Sequence, residues 1–291
     1  MAANRGNGID TSTVMFGVFG DPVAHSKSPL MLNRAFEVTG ANAAYAAFHI
    51  RPGTLRDAVN GIRALGFRGV NVTIPHKLEV VDYLDEIDEH ARAIGAVNTI
   101  VNDQGRLKGY NTDGIGYVRS LKEEAGFSIA GQTVMLLGAG GAARGIGYAL
   151  AKEGAARIII ANRTASKAEE LAAYLSEGTD TEGIGLEAVA TRIDGVNLVV
   201  NTTKIGMHPK IEECPIAPEL IHPGMLVSDI VYNPLETRFL REAKARGAAV
   251  HGGLGMFIYQ GAYAFEYWTG QPAPAEAMRE IVERSLTEAA L

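Results

Sequence analysis

From Met15 onward the chain alternates short apolar runs with amphipathic stretches, the pattern left by helices packed on a mostly parallel sheet. Met15–Gly20 reads as a strand, Pro29–Thr39 as a helix closed by Gly40, Ala44–Ile50 as a strand, and Leu55–Leu65 as a helix capped by Thr54. A third strand is predicted over Gly69–Ile74. Pro75 ends it for want of a ladder donor, and Leu78–Leu84 then resumes a helical period. The runs Ala96–Val101 and Arg106–Tyr110 flank Asn102-Asp-Gln-Gly105, which has the residues of a hairpin turn.

A second series begins at the apolar run Thr133–Leu137. It is followed by Gly138-Ala139-Gly140-Gly141-Ala142-Ala143 and a helical segment to Lys152. Strand, glycine turn and helix in that order let backbone N–H groups at a helix start approach a pyrophosphate that a β-carbon would keep away. The next strand, Arg157–Ala161, ends in Asn162-Arg163-Thr164. An NAD enzyme usually carries an acidic residue there for the ribose 2′-hydroxyl, whereas an arginine suits a 2′-phosphate. A helix over Ser166–Leu175 and strands at Asn197–Asn201, Met225–Ile230 and Ala248–His251 complete a doubly wound sheet over roughly 114–253. The closing segments Gly255–Trp268 and Ala275–Ala289 are helical with no strand left to cover. The fold expected is therefore α/β. A first domain of residues 1–113 takes back the helices of 254–291, and a dinucleotide-binding domain occupies 114–253, with a ligand cleft between the two.

Composition narrows the partners. The 291 residues suffice for two domains, and 47% hydrophobic with 21% charged residues is the balance of a soluble globular protein. A net charge of -6 argues against a nucleic-acid or anionic-membrane surface as the main partner. The single Cys214 excludes an internal disulfide and a cysteine-based zinc site, which suits a reducing cytoplasm. No apolar run is long enough to span a membrane. Met1–Thr13, polar and glycine-rich, reads as a flexible leader rather than a signal peptide.

Three polar groupings carry candidate chemistry. In Asp21-Pro-Val-Ala-His25-Ser26-Lys27-Ser28-Pro29, two hydroxyls lie at a helix start, where they can hold a carboxylate; as a plain cap only one serine is needed. Asn71 and Thr73 share a face of the third strand by the two-residue period, with the Lys77 ammonium just past its end. Asn98 and Asp113 fall at the same edge of the first domain, facing the expected cleft.

Seven separated motifs resemble those of the shikimate dehydrogenase family: His25-Ser26-Lys-Ser28-Pro29, Asn71-Val-Thr73-Ile-Pro75-His-Lys77, Gly95-Ala-Val-Asn98-Thr99, Asn111-Thr-Asp113-Gly114, Gly138-Ala-Gly-Gly-Ala142, Asn162-Arg163-Thr164 and Gly253-Leu-Gly-Met-Phe-Ile-Tyr-Gln260. The resemblance runs from about Phe16 to Gly270. It implies reversible reduction of 3-dehydroshikimate by NADPH in the route to chorismate and the aromatic amino acids. Lys77 and Asp113 would be the catalytic pair. Ser26 and Ser28, with Tyr232 nearby, would meet the substrate carboxylate, and Asn71, Thr73, Asn98, Asp113 and Gln260 its ring hydroxyls. For NADP, the resemblance implies Gly138, Ala139, Gly140, Gly141 and Ala142 at the pyrophosphate, and Asn162, Arg163, Thr164 and Lys167 at the 2′-phosphate. Met207, Ile230 and Gly253 would lie near the nicotinamide.

Leu32, Lys204 and Arg238 depart from the family's usual histidine, serine or proline, and proline. The last two put extra cations on the nicotinamide side. His49, His76, His90, His208, His222 and His251 show no metal-ligand spacing, so no metal is expected and packing or surface roles are. Two alternatives stay open. One is a quinate or dual quinate/shikimate dehydrogenase; the other is a sensing module of the same fold that binds without reducing. The sequence leaves the oligomeric state open, a homodimer included.

Overall fold

The computed structural model describes residues 8–288. Met1–Asn7 of the expected leader, and Ala289 at the end of the expected last helix, lie outside the described residues. The chain divides into two compact units: residues up to Thr112 joined by those from Gly261 on, and Asp113–Gln260.

The first unit runs β1 (Val14–Gly20), α1 (Ser28–Thr39), β2 (Ala43–His49), α2 (Leu55–Ala64), β3 (Gly69–Val72), β4 (Glu86–Ile87), α3 (Glu89–Ile94), β5 (Thr99–Asp103) and β6 (Arg106–Tyr110). These strands form one sheet in the order β2-β1-β3-β5-β6-β4. β1 is parallel to β2 and β3, and β4 to β6, but β5 is antiparallel to both β3 and β6, so the sheet is mostly parallel with β5 reversed within it. The cause is local. Gln104 and Gly105 adopt φ of 51° and 92°, the left-handed pair that turns one strand back on the next. On one face, Leu55, Val59 and Ile62 recur at helical spacing along α2 and bury against Val70, Val72 and Ile100.

Local expectations fail where elements are too short to show a period. β3 ends at Val72, two residues before the expected end, and Leu78–Leu84 is no α-helix but a 3₁₀ turn over Glu79–Tyr83. Thr54 occupies the cap position of α2, yet its hydroxyl donates to the Arg51 carbonyl instead.

The second unit runs α4 (Asp113–Ala125), β7 (Thr133–Leu137), α5 (Gly141–Lys152), β8 (Arg157–Asn162), α6 (Ala165–Leu175), β9 (Asp180–Gly185), β10 (Leu198–Asn201), β11 (Leu226–Asp229), α7 (Arg238–Ala245) and β12 (Ala249–His251), and includes the start of α8 (Leu254–Thr269). Its sheet, β12-β11-β10-β7-β8-β9, is parallel throughout. The chain starts in the middle at β7, winds outward to β9, then crosses to β10 on the other side of β7. The gap between β7 and β10 is thus the topological switch point of a doubly wound sheet. Both faces are covered: Val134 and Leu136 of β7 enter one core, Met135 and Leu137 the other. On one of those faces α4 meets α5 so closely that a Cβ on Gly114 would collide with the Gly145 carbonyl. At the end of β11, buried Asp229 accepts hydrogen bonds at Oδ1 from Asn201 Nδ2 and Val231 N–H (3.0 Å each) and at Oδ2 from Thr237 Oγ1 (2.7 Å).

α8 and α9 (Ala275–Glu288) are the two expected closing helices, but the return to the first unit begins at Gly261, inside α8, not at residue 254. The first turns of α8 belong to the second unit because Tyr259 donates to Glu123 of α4 (2.6 Å) and the Gln260 backbone lies 2.7 Å from where a Gly116 Cβ would stand. Beyond Gly261, Trp268 packs against Phe16 with the rings tilted (5.1 Å between centroids) and donates from Nε1 to the Ile100 carbonyl (2.9 Å). α9 lies along α1, and Lys27 Nζ donates to Ser285 Oγ (2.9 Å). Among the described residues no helix is long and apolar enough to cross a membrane.

A Cβ at Gly69 would run into the indole of Trp268. Gly69→Ala should lower stability by about 1–3 kcal/mol in urea unfolding followed by the fluorescence of Trp268, the only tryptophan, and an unchanged midpoint would show slack at this contact. Burial pushes the Asp229 carboxyl up from 3.8 to about 6. A raised folded-state pKa gives stability that is fully present below the unfolded pKa and is lost as pH rises through the folded one. Asp229→Asn removes that titration. Between about pH 4 and pH 7, the stability difference should therefore move in the variant's favour by on the order of 3 kcal/mol, whereas a constant difference would mean ordinary titration.

Candidate active site

The parallel strands of the first unit end together, and the loops leaving β1 and β3 carry most of the polar residues singled out in the sequence. Neither serine of the first loop caps α1 as a side chain at the Ncap position. That position is Lys27, without a side-chain cap, while Ser26 Oγ accepts from the Ser28 N–H at 3.2 Å. Ser28 is the first residue of the helix and is buried. Tyr45 of β2 is buried too, and burial pushes the titration of its phenol well up.

From Tyr45 a buried polar line crosses the sheet. Tyr45 O–H donates to Asn71 Oδ1 (2.8 Å), and Asn71 Nδ2 donates to the Asn98 carbonyl (3.2 Å) and to Thr99 Oγ1 (3.1 Å). Thr99 Oγ1 donates to Asn98 Oδ1 (3.0 Å), which also accepts from the Thr112 N–H (2.8 Å). Asn98 Nδ2 in turn donates to Thr112 Oγ1 (2.9 Å). Register explains the reach. Phe16 pairs with Tyr45 and Val18 with Asn71 across β1, and Asn71 faces Thr99 across β3 and β5, so the side chains share one face by the two-residue period. Asn33 of α1 holds the Tyr45 backbone at both ends, donating to its carbonyl and accepting from its N–H, each at 2.9 Å. Tyr45, Thr99, Thr112 and Asn33 were not expected from the sequence; Tyr45 lay inside an apolar run, and only its partner's spacing could have drawn attention to it. Leu32, beside Asn33, is fully buried.

Thr73 lies just beyond β3 and donates its N–H to the Phe19 carbonyl (2.9 Å). Lys77 follows in the next turn, half-buried, its carbonyl taking the Val97 N–H (2.9 Å). These residues therefore belong to one edge of the first unit, along with Ser26, Ser28, Asn71 and Asn98. Asp113 is buried at the first position of α4 and Gln260 lies in α8, both in the second unit. Tyr232 stacks on Phe257 (4.2 Å), and Gln260 Nε2 donates to the Phe257 carbonyl (2.8 Å), so Phe257 links these two.

The glycine loop fits a dinucleotide. Gly138 has φ of 113°, which a side chain rarely adopts, and a Cβ there would stand 2.7 Å from Thr202 Oγ1. Gly140 is the Ncap of α5 with no side-chain cap, and a Cβ on it would meet nothing, so the first N–H groups of a full-length helix face open space. Asn162 Nδ2 donates to the Thr164 carbonyl (3.0 Å), shaping the loop at the tip of β8; Arg163 and Lys167 are exposed and without an ion-pair partner among the described residues. Met207 is exposed, and Gly253 is forced, since a Cβ on it would strike the Ile230 backbone.

The two unusual cations differ. Arg238 is engaged, donating to the Glu212 carbonyl (2.7 Å) and lying 3.7 Å from Glu242, whereas Lys204 is exposed. Among the histidines, His76 and His251 are buried and hydrogen-bonded rather than superficial, His251 between Ser120 Oγ (2.8 Å) and Ser228 Oγ (2.9 Å). The described residues contain no cluster of histidine, cysteine, aspartate or glutamate able to hold a metal.

Three family descriptions match in chain order: "Shikimate dehydrogenase substrate binding domain" over residues 18–100, "Shikimate / quinate 5-dehydrogenase" over 120–221, and "Shikimate 5'-dehydrogenase C-terminal domain" over 253–283. The chain is 52% identical to the shikimate dehydrogenase (NADP(+)) of Geobacillus kaustophilus across 94% of its own length and 98% of that protein's. Among solved structures, a shikimate dehydrogenase in complex with NADP+ superposes with a TM-score of 0.90 at 44% identity, covering 97% of this chain and 99% of that one. The Thermus thermophilus shikimate 5-dehydrogenase in complex with NADP(H) and shikimate gives 0.85 at 38% identity, over 94% of this chain and 100% of the other. With relatives this similar over nearly their whole length, the chain belongs to the shikimate dehydrogenase family.

Proposed function

We propose that this protein is an NADP-dependent shikimate dehydrogenase, reversibly reducing 3-dehydroshikimate to shikimate on the way to chorismate and the aromatic amino acids. The observation that carries the reading is the buried line from Tyr45 through Asn71, Thr99 and Asn98 to Thr112, at the edge that also bears Lys77. A small polyhydroxylated carboxylate is recognised by hydroxyls and amides fixed at set spacings, and groups locked to one another need no ordering when it binds.

In this reading Ser26 and Ser28, helped by Tyr232, take the carboxylate. Thr73, Asn98, Asp113 and Gln260 take ring hydroxyls together with Asn71. Both Asn71 Nδ2 hydrogens are already committed to Asn98 and Thr99, so Asn71 meets a hydroxyl as an acceptor through Oδ1. NADPH supplies a hydride to the carbonyl carbon. Lys77 stabilises the charge that develops on the oxygen and gives it a proton, and Asp113 is its partner in the catalytic pair. Gly138, Ala139, Gly140, Gly141 and Ala142 cradle the pyrophosphate. Asn162, Arg163, Thr164 and Lys167 take the 2′-phosphate, with Met207, Ile230 and Gly253 near the nicotinamide. The first unit is then the substrate domain and the second the NADP domain. A cytoplasmic homodimer belongs to the same reading. A single cysteine, which can form no internal disulfide, suits a reducing compartment.

Quinate dehydrogenase of Corynebacterium glutamicum, in complex with NAD, has the same fold at 30% identity and a TM-score of 0.87, so the test must separate both substrate and nucleotide. Rates with shikimate and quinate, each with NADP and NAD, should be highest for shikimate with NADP. Two or three charge-assisted bonds of about 1.5–3 kcal/mol each favour NADP several hundredfold or more. A preference for NAD would overturn the role of Arg163, and a preference for quinate that of the substrate. Lys77→Ala should reduce kcat by about two to four orders of magnitude with nearly unchanged NADPH affinity in a fluorescence titration. Undiminished turnover would remove Lys77 from the chemistry.

A further inference from the structure

His76 precedes Lys77 and is fully buried, at 0% exposure. Its Nε2 lies 2.7 Å from the carbonyl oxygen of Ile50. A carbonyl only accepts, so Nε2 carries the proton and donates. Nδ1 is then a buried acceptor without a hydrogen-bond partner. An aliphatic side chain would fill the same space with no orphaned nitrogen, so packing alone does not account for a histidine here. Its one ring hydrogen bond does.

That bond has a particular place in the turn. Before His76, the chain is held by Thr73 N–H on the Phe19 carbonyl and by Asp21 N–H on the Ile74 carbonyl, each at 2.9 Å; after it, Val97 N–H holds the Lys77 carbonyl at 2.9 Å. Between them, the ring of His76 ties the turn to Ile50 at the end of β2. Ile50 is itself bonded through its N–H to the Gly20 carbonyl at the end of β1 (3.1 Å). The peptide that carries Lys77 is thereby referred to the ends of three strands, not to its own loop alone.

We propose that His76 is a positioning residue for Lys77: its Nε2–H···O=C bond to Ile50 fixes the main chain from which the ammonium reaches the substrate carbonyl. The proposal rests on Lys77 being the acid of the reduction. Misplacing a catalytic group by about an ångström can cost on the order of a hundredfold in rate without touching the remainder of the site. The glutamine Nε2–H can reach the same carbonyl as the imidazole Nε2–H; leucine offers no donor, and asparagine is too short.

Steady-state kinetics of His76→Leu, His76→Gln and His76→Asn, measured beside the parent enzyme, test this. His76→Leu and His76→Asn should lose roughly 10- to 100-fold in kcat, while NADPH binding by fluorescence titration stays within about twofold of the parent. His76→Gln should recover most of the loss. Leucine and glutamine variants of equal kcat, or a fall in NADPH affinity parallel to that in kcat, would overturn the proposal, the first by denying the bond a role and the second by showing a general defect. If the leucine variant does not fold, the glutamine and asparagine pair makes the same comparison. A parent without shikimate-dependent NADP reduction would instead count against the proposed function.

Discussion

A polar group taken out of water must find a partner inside the protein, and in this molecule that constraint is concentrated at the ends of parallel strands. Asn71 is the clearest case. It lies in the interior of the sheet, and every hydrogen bond of its amide is answered from outside its own strand: by Tyr45 on β2, Thr99 on β5, and Asn98 just before β5. Replacing any of these with an apolar residue would orphan the next. The network is therefore rigid by accounting alone, and a rigid line of hydroxyls and amides is what selective recognition of a polyol requires. Asp229 meets the same constraint in the second unit, where Asn201, Val231 and Thr237 surround a carboxylate still costly enough to bury that its titration shifts upward.

The second recurring device is the absence of a side chain. Gly114 lets α4 settle on the α5 backbone, Gly138 gives the turn after β7 a conformation and a clearance that no other residue allows, and Gly69 makes room for an indole. Each removes a few atoms at one point and thereby sets the distance between whole elements. The cost in chain entropy at each glycine is offset by the surfaces it brings together.

Much of this was legible in the chain. The strand, glycine turn and helix at Thr133–Lys152 were visible because apolar period and glycine spacing are local properties, and Lys77 stood out because it follows a proline-ended strand. The hairpin at Gln104 and Gly105 was readable for the same reason. Tyr45 was not, because a tyrosine in an apolar strand looks like core until its register against Asn71 is known. His76 failed in the same way: nothing in Pro75-His76-Lys77 discloses that the ring turns inward to a carbonyl 26 residues earlier. β4 and α3, two and six residues long, carry too little period to declare themselves. Arg238 and Lys204 looked alike as sequence departures, and only the Glu212 carbonyl separates them.

The first unit is discontinuous in the chain, since it holds the residues before Asp113 and those after Gln260. Synthesis on a ribosome delivers the entire second unit before Trp268, and hence before the indole that fills the space over Gly69 and answers the Ile100 carbonyl. The usual order, in which the domain begun first is finished first, is reversed. The nascent sheet of the first unit must wait with one face covered by α1 alone until the last helices emerge. A ribosome that stalls after Gln260 would therefore release a chain whose complete part is the later one.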